Sequence, residues 1–252
     1  MRKIILCIFL VFLLFVNPCT IFGKQIFVAP QGNSDGNGSF IKPFDITTVF
    51  YGKYDAHPGD TVLLRGGDYF VKLECWLTGT SLSRVVIKSY SNEWAIIHGG
   101  ITLHRGSSYV TFMDFEITGD YTEDVKRVTT QNNPKVHDIK LCTGLAIGFG
   151  ANTDIKIINL FIHNLPGDGL DIWIAAINTE VYGNIINNNG WDALDRGHGH
   201  GIYSQNDTGI KRFEDNILFG NFGRGGINIY TFEGKINNYF LEGNVQFNAV
   251  FW

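Results

Sequence analysis

After an apolar opening, the hydrophobic positions of this 252-residue chain fall into short alternating runs, each introduced by a glycine. Gly144-Leu145-Ala146-Ile147-Gly148, Gly169-Leu170-Asp171-Ile172-Trp173, Gly201-Ile202-Tyr203-Ser204-Gln205 and Gly226-Ile227-Asn228-Ile229-Tyr230 share the pattern, with glycines 25, 32 and 25 residues apart. A period of two is that of a strand with one buried face. It predicts Leu170/Ile172, Ile202 and Ile227/Ile229 inward, and Asp171/Trp173, Tyr203/Gln205 and Asn228/Tyr230 outward as two columns on one sheet. A second signal, an asparagine opening an apolar run, recurs at Asn159, Asn184, Asn216 and Asn244, which follow their glycines by 15, 15, 15 and 18 residues. Gly and Asn accept the positive φ of tight turns. No helical pattern separates the runs, which disfavours leucine-rich or βαβ repeats. The prediction is one all-β domain over residues 24–252, a parallel β-helix with coils of about 25 residues. Leu145, Leu170, Ile202 and Ile227 should form one buried ladder, with Ile158 or its strand neighbours, Ile186 and Leu218 on another sheet.

Departures from the period point to a site. From asparagine to next glycine the chain takes 10 residues after Asn159 and after Asn216, but 17 after Asn184, so seven extra residues lie within 187–200. Asp114 takes the asparagine's place one coil earlier, and from it to Gly144 is 30 residues. Both insertions fall in the same arc of the coil, and insertions in a solenoid commonly gather on its binding face. They flank the coil carrying Asp168, giving two walls and a floor. The first insertion, 119–140, is almost free of apolar residues and reads as a polar flap from which Asp124 or His137 could reach the groove.

The second insertion, Gly190-Trp191-Asp192-Ala193-Leu194-Asp195-Arg196-Gly197-His198-Gly199-His200, sets an aromatic ring, two carboxylates, a guanidinium and two imidazoles within eleven residues. With Asp168 and Asp171 of the floor, the candidate acid–base groups are Asp168, Asp171, Asp195, His198 and His200. If the strand already runs at 200, parity turns both histidines inward with Ile202; His198 is expected to be the more exposed. Candidate substrate contacts are Trp173, Trp191, Arg196, Tyr203, Gln205, Arg224, Asn228 and Tyr230. Arg196, Arg224 and Lys211 are candidate carboxylate clamps and bases, and Lys211 with Arg212 reads alternatively as a solvated corner. Zinc on Asp195, His198 and His200 has workable i, i+2 spacing, and Asp168, Asp171, Asp192 and Asp195 are hard oxygen donors of the kind calcium takes.

Charged residues make up only 17% of the chain and the formal charge is −4, so the basic footprint of a nucleic-acid binder is missing. Arg2 and Lys3 precede an unbroken apolar run, Ile4 to Val16, broken by Asn17-Pro18. That is the pattern of a secretory leader over residues 1–23, and the run is too short for a membrane-spanning helix. Cys19 lacks the small preceding residues expected at a lipidation site. Cys75 and Cys142 alone make no disulfide framework, and whether they pair is left open. The chain stops at Val250-Phe251-Trp252 without a polar cap, so further coils are expected beyond it.

Phe27-Val28-Ala29-Pro30-Gln31-Gly32, Lys42-Pro43-Phe44 and Pro58-Gly59-Asp60-Thr61-Val62-Leu63-Leu64-Arg65-Gly66-Gly67-Asp68-Tyr69 resemble the opening of secreted right-handed parallel β-helix proteins of the pectin-lyase-like superfamily. The resemblance implies an N-terminal cap, a Pro-Gly-Asp turn into the first coil, and an extended polysaccharide as partner of a monomeric extracellular or periplasmic protein. Gly167-Asp168-Gly169-Leu170-Asp171 and Gly197-His198-Gly199 are similar to two motifs of its polygalacturonases, although the adjacent Asp-Asp pair is missing. The likeness to the polygalacturonases implies hydrolysis, which needs two carboxyl groups astride the bond. The alternative is β-elimination, which needs a base and a cation, calcium or arginine, on the sugar carboxylate. A non-catalytic polysaccharide-binding or adhesion module remains the reading of a different class.

Overall fold

The computed structural model describes residues 23–119, 127–132, 139–223, 225–231 and 236–248. Arg224, Cys19 and all of the expected leader but Gly23 lie outside them, as do Asp124 and His137. The chain winds through about six turns of a parallel β-solenoid. An eight-stranded sheet contains Gln25–Val28, Thr61–Leu64, Val85–Ser89, Val110–Met113, Lys156–Ile158, Thr179–Tyr182, Lys211–Glu214 and Tyr239–Glu242. A seven-stranded sheet runs from Gly67–Phe70 to Val245–Phe247, and a six-stranded sheet stacks Leu73–Cys75, Ile101–Leu103, Leu145–Ile147, Leu170–Ile172, Ile202–Ser204 and Ile227–Ile229. Among the described residues no helix is long and apolar enough to cross a membrane.

The glycine spacing set the register correctly. Leu145 pairs with Leu170, Leu170 with Ile202, and Ile202 with Ile227. The first three are fully buried, each contributing about 1.5–3 kcal/mol of apolar burial. Ile158 stands on the eight-stranded sheet opposite Tyr182; it is Ile162 that stacks on Ile186 and Leu218. At the N-terminal end the short helix Ile46–Phe50 buries Val49 and Phe50 against the first coil, with Asp45 capping it by accepting from Thr48 N–H at 2.9 Å. Asp60 accepts the N–H groups of Lys24 and His57, which fixes the turn from which Thr61–Leu64 departs.

The asparagine signal is real at three positions and coincidental at the fourth. Asn184, Asn216 and Asn244 stack as a ladder, with Asn184 Nδ2 donating to Asn216 Oδ1 at 2.8 Å and Asn216 Nδ2 to Asn244 Oδ1 at 2.9 Å. Ile147 pairs with Ile172 but Asn152 with Ala176, so the coil from Gly144 holds one extra residue in that stretch. Asn159 therefore sits one place before the ladder, in a left-handed turn at φ 50°. Cys75 and Cys142 do not pair with one another; burial pushes the Cys75 thiol up to about 12, and Cys142 donates to Gly99 O.

Candidate functional site

The seven-residue insertion folds as a small antiparallel hairpin, Trp191–Asp192 against Gly197–His198. Its two arms are fastened by the Trp191 indole stacked on the His198 imidazole, centroids 4.9 Å apart. Asp195 Oδ1 reaches His198 Nε2 at 2.9 Å, and this contact holds the Asp195 carboxyl below its usual range. The described part of the first insertion docks on the hairpin. Thr129 N–H donates to Asp192 O and Asp192 N–H to Arg127 O, while the Arg127 guanidinium donates to Asn188 O and Gly190 O at 2.6 Å each. The two insertions thus share a face, as their common arc implies.

After the hairpin the chain turns sharply at Gly199, φ 78°, where a Cβ would lie 2.3 Å from Gly190 Cα. Only glycine fits that turn, and it resets the alternation. The outcome reverses the expectation for the two histidines: His198 is 3% exposed inside the hairpin, whereas His200 faces the floor carboxylates. Asp168 Oδ1 accepts the His200 backbone N–H at 2.6 Å and meets Nδ1 at 3.0 Å; on the far side of the ring, Nε2 lies 2.8 Å from Asn228 Nδ2. With the Asn228 amide donating, the imidazole carries its proton on Nδ1 and offers a lone pair on Nε2.

Asp171 projects outward in register with Tyr203 and, one coil further, Asn228. It is nevertheless covered. Burial first, and then the neighbouring negative Asp168, raise its carboxyl well above the usual range, so that it donates to Asp168; Thr143 Oγ1 lies 3.3 Å from its other oxygen. The Tyr203 phenol accepts from Gln205 Nε2 at 2.7 Å, and its ring lies 5.4 Å from Trp173 and 5.9 Å from His200. Burial raises the Tyr203 phenol, keeping it a proton donor. Arg196, His200, Tyr203, Asn228 and Tyr230 line an open cleft of about 420 Å³.

Five of the sequence candidates thus line the cleft, with Asp168 and Asp171 directly beneath. Trp191, at 8% exposure and stacked on His198, has no open face for a sugar, and Gln205 is a buried support of Tyr203 rather than a surface contact. Asp195 and His198 satisfy one another in the hairpin. Arg212 does lie at a solvated corner, beside Glu214 and Phe240. Lys211 does not: it is 0% exposed. Its neighbour-but-one Phe213 is also buried, and that alternation was the available signal for an inward lysine. Thr143, the partner of Asp171, carried no sequence signal.

Among the described residues no three His, Cys, Asp or Glu side chains converge as a metal site. His198 and His200 turn to different carboxylates, so they do not form the zinc set with Asp195. Of the carboxylates expected for calcium, Asp168 and Asp171 lie together beneath the cleft, whereas Asp195 is held by His198 in the hairpin.

No family model matches the sequence. A segment of 77 residues is 31% identical to the uncharacterized protein YwoF of Bacillus subtilis (strain 168), covering 31% of this chain and 16% of that protein. Among solved structures, pectate lyase Pel9A is similar over 88% of this chain and 53% of its own, with TM-score 0.60 and 16% identity. The XylC structure solved with xylose is similar over 88% of this chain and 65% of its own, with TM-score 0.51 and 12% identity. The chain spans about half the length of Pel9A, and its fold is a parallel β-solenoid like that of Pel9A.

Proposed function

We propose that this chain is a secreted polysaccharide lyase that cleaves a uronic-acid-containing glycan by β-elimination, with no metal ion in the step. The observation that carries this reading is the fixed imidazole of His200: Asp168 holds Nδ1, and Nε2 faces a cleft shared with Arg196, Asn228 and Tyr203. Hydrolysis needs two carboxyl groups about 5–9.5 Å apart across the bond, whereas Asp168 and Asp171 stand in hydrogen-bond contact with each other. The pectate lyase name of Pel9A and the xylose held in the XylC structure accord with a glycan partner, and the leader pattern with an extracellular or periplasmic location.

In this mechanism the uronate carboxylate draws the Asn228 amide off His200 Nε2, which frees that lone pair, and its pairing with Asn228 and Arg196 acidifies the adjacent C5 proton. His200 Nε2 removes that proton, the C4–O bond breaks as the C4–C5 double bond forms, and the Tyr203 phenol gives its proton to the departing oxygen. Proton return from His200 through solvent restores the tyrosine. The test is incubation with a panel of acidic and neutral polysaccharides, with and without chelator, following the ultraviolet absorbance of the unsaturated end. Absorbance that survives chelator and is lost in His200→Ala and Tyr203→Phe supports the reading. Saturated reducing ends would make the protein a hydrolase; binding without turnover, indifferent to both substitutions, would make it a binding or adhesion module.

A further inference from the structure

Beneath the cleft lies a charged group that the reaction above does not use. Lys211 opens a strand of the eight-stranded sheet, paired with Thr179 on one side and Tyr239 on the other, and its side chain crosses the interior of the solenoid. The ammonium ends on three main-chain carbonyls, those of Ile172 at 3.4 Å, Trp173 at 2.9 Å and Gln205. These carbonyls close the two strands that carry Asp171 and Tyr203 on their outer face. Burying an ammonium against carbonyls alone is costly, and Thr179, its counterpart one coil below, places no charge there. Gln205 continues the connection outward, because its side-chain amide holds the Tyr203 phenol at 2.7 Å.

We propose that Lys211 is a positioning residue for the cleft: its ammonium ties the ends of both site strands from inside and, through Gln205, sets the direction in which the Tyr203 phenol presents its proton. The role in turnover rests on the lyase reading; the tie itself does not. A hydroxyl that accepts from Gln205 directs its own hydrogen away from that amide, and the other open side of the phenol is the cleft. Loosening the carbonyls of Trp173 and Gln205 turns the Trp173 ring and, through the Gln205 amide, the Tyr203 ring that it contacts.

The tie is also sensitive to pH. Burial pushes the Lys211 ammonium down to about 7. The titratable groups around it are Tyr239 on the next coil, whose phenol burial pushes up to about 12, and, across the strand backbone, the protonated Asp171 and Tyr203. None of these supplies a counter-charge near neutrality. Above the ammonium's titration the amine keeps fewer and weaker donors for its three acceptors.

The test uses the full chain and two variants, Lys211→Met and Gln205→Ala, the second leaving the main-chain carbonyls in place should the first fail to fold. In Lys211→Met, kcat should fall about tenfold or more with KM changed less than about threefold, the signature of lost alignment rather than lost binding. The limb of the kcat profile that falls near pH 7 in the parent should vanish. Gln205→Ala should lower kcat in the same way and keep that limb. A second readout is tryptophan emission against pH, in which Trp173 should report a transition near pH 7 that is absent from Lys211→Met. That transition, seen in a protein without turnover on any glycan, upholds the tie and rejects the lyase. Parent-like kcat, pH profile and emission in Lys211→Met would overturn the proposal.

Discussion

Asp168 Oδ1 accepts both the backbone N–H and the ring Nδ1–H of His200, residues 32 positions apart in sequence and one coil apart in space. One carboxylate oxygen therefore fixes the chain and the tautomer together. The acceptor on Nδ1 decides that Nε2 is the basic atom, and the acceptor on the backbone decides where that atom stands.

Replacing Asp168 with Asn should keep a polar contact and lose the preference for a proton on Nδ1. The expected result is a fall in kcat of about a hundredfold or more with little change in KM, the behaviour of a base held in the wrong tautomer. Initial rates of unsaturated-end formation, with circular dichroism to confirm the fold, check it.

The two histidines should separate cleanly. His200→Ala removes the base and should abolish turnover. His198→Ala opens the hairpin stack and should shift Trp191 emission to the red, with activity lowered at most about tenfold and an unchanged pH profile. Equal loss in both variants would return His198 to the reacting groups.

Asp171 should weaken the folded protein at neutral pH. Its folded pKa is raised, so its contribution is fully present below the unfolded value, about 4, and is lost as pH rises through the folded value. Asp171→Asn stays neutral at every pH, so it should melt roughly 2–6 °C above the parent at pH 8, the size of a gain of about 1–2 kcal/mol in a chain this long. The difference should disappear near pH 4, and thermal melts at the two pH values measure it.

The asparagine ladder should be sensitive at its middle. Asn216→Ala removes the side chain that donates to Asn244 and Val181 O and accepts from Asn184, and it should cost about 2–4 kcal/mol. Asn159→Gly, at an exposed left-handed turn, should be within about 0.5 kcal/mol of the parent. Urea denaturation of both variants gives the comparison.

The repeat was legible because a period of two and the positive φ of Gly and Asn are local properties that stacking merely aligns. Leu170, Ile202 and Ile227 could be placed inside from spacing alone. What spacing could not supply was the phase of the chain beyond an interruption. Gly199 inserts a turn between the hairpin and the sheet, so counting back from Ile202 predicts His198 and His200 on one face when they occupy two. A single extra residue before Asn152 likewise gave Asn159 the right distance and the wrong place. Burial, too, is a property of neighbours: Asp171 points outward as the alternation demands, and Asp168 and Thr143 still screen it from water. The asparagine signal recurs in the seven-stranded sheet's far corner at Asn189, whose Nδ2 meets Asn221 Oδ1 at 3.1 Å.

Those buried amides have a meaning for the cleft that none of its own residues has. The groups above Asp171 are drawn from three successive coils, so the cleft depends on the coils staying in step. A slip of one residue between neighbours would turn Tyr203 into the core and bring Ser204 to the surface in its stead. Amides that meet one another and the neighbouring carbonyls only at one height act as a vernier for the whole solenoid, so the fidelity of the cleft is indexed at a corner away from it.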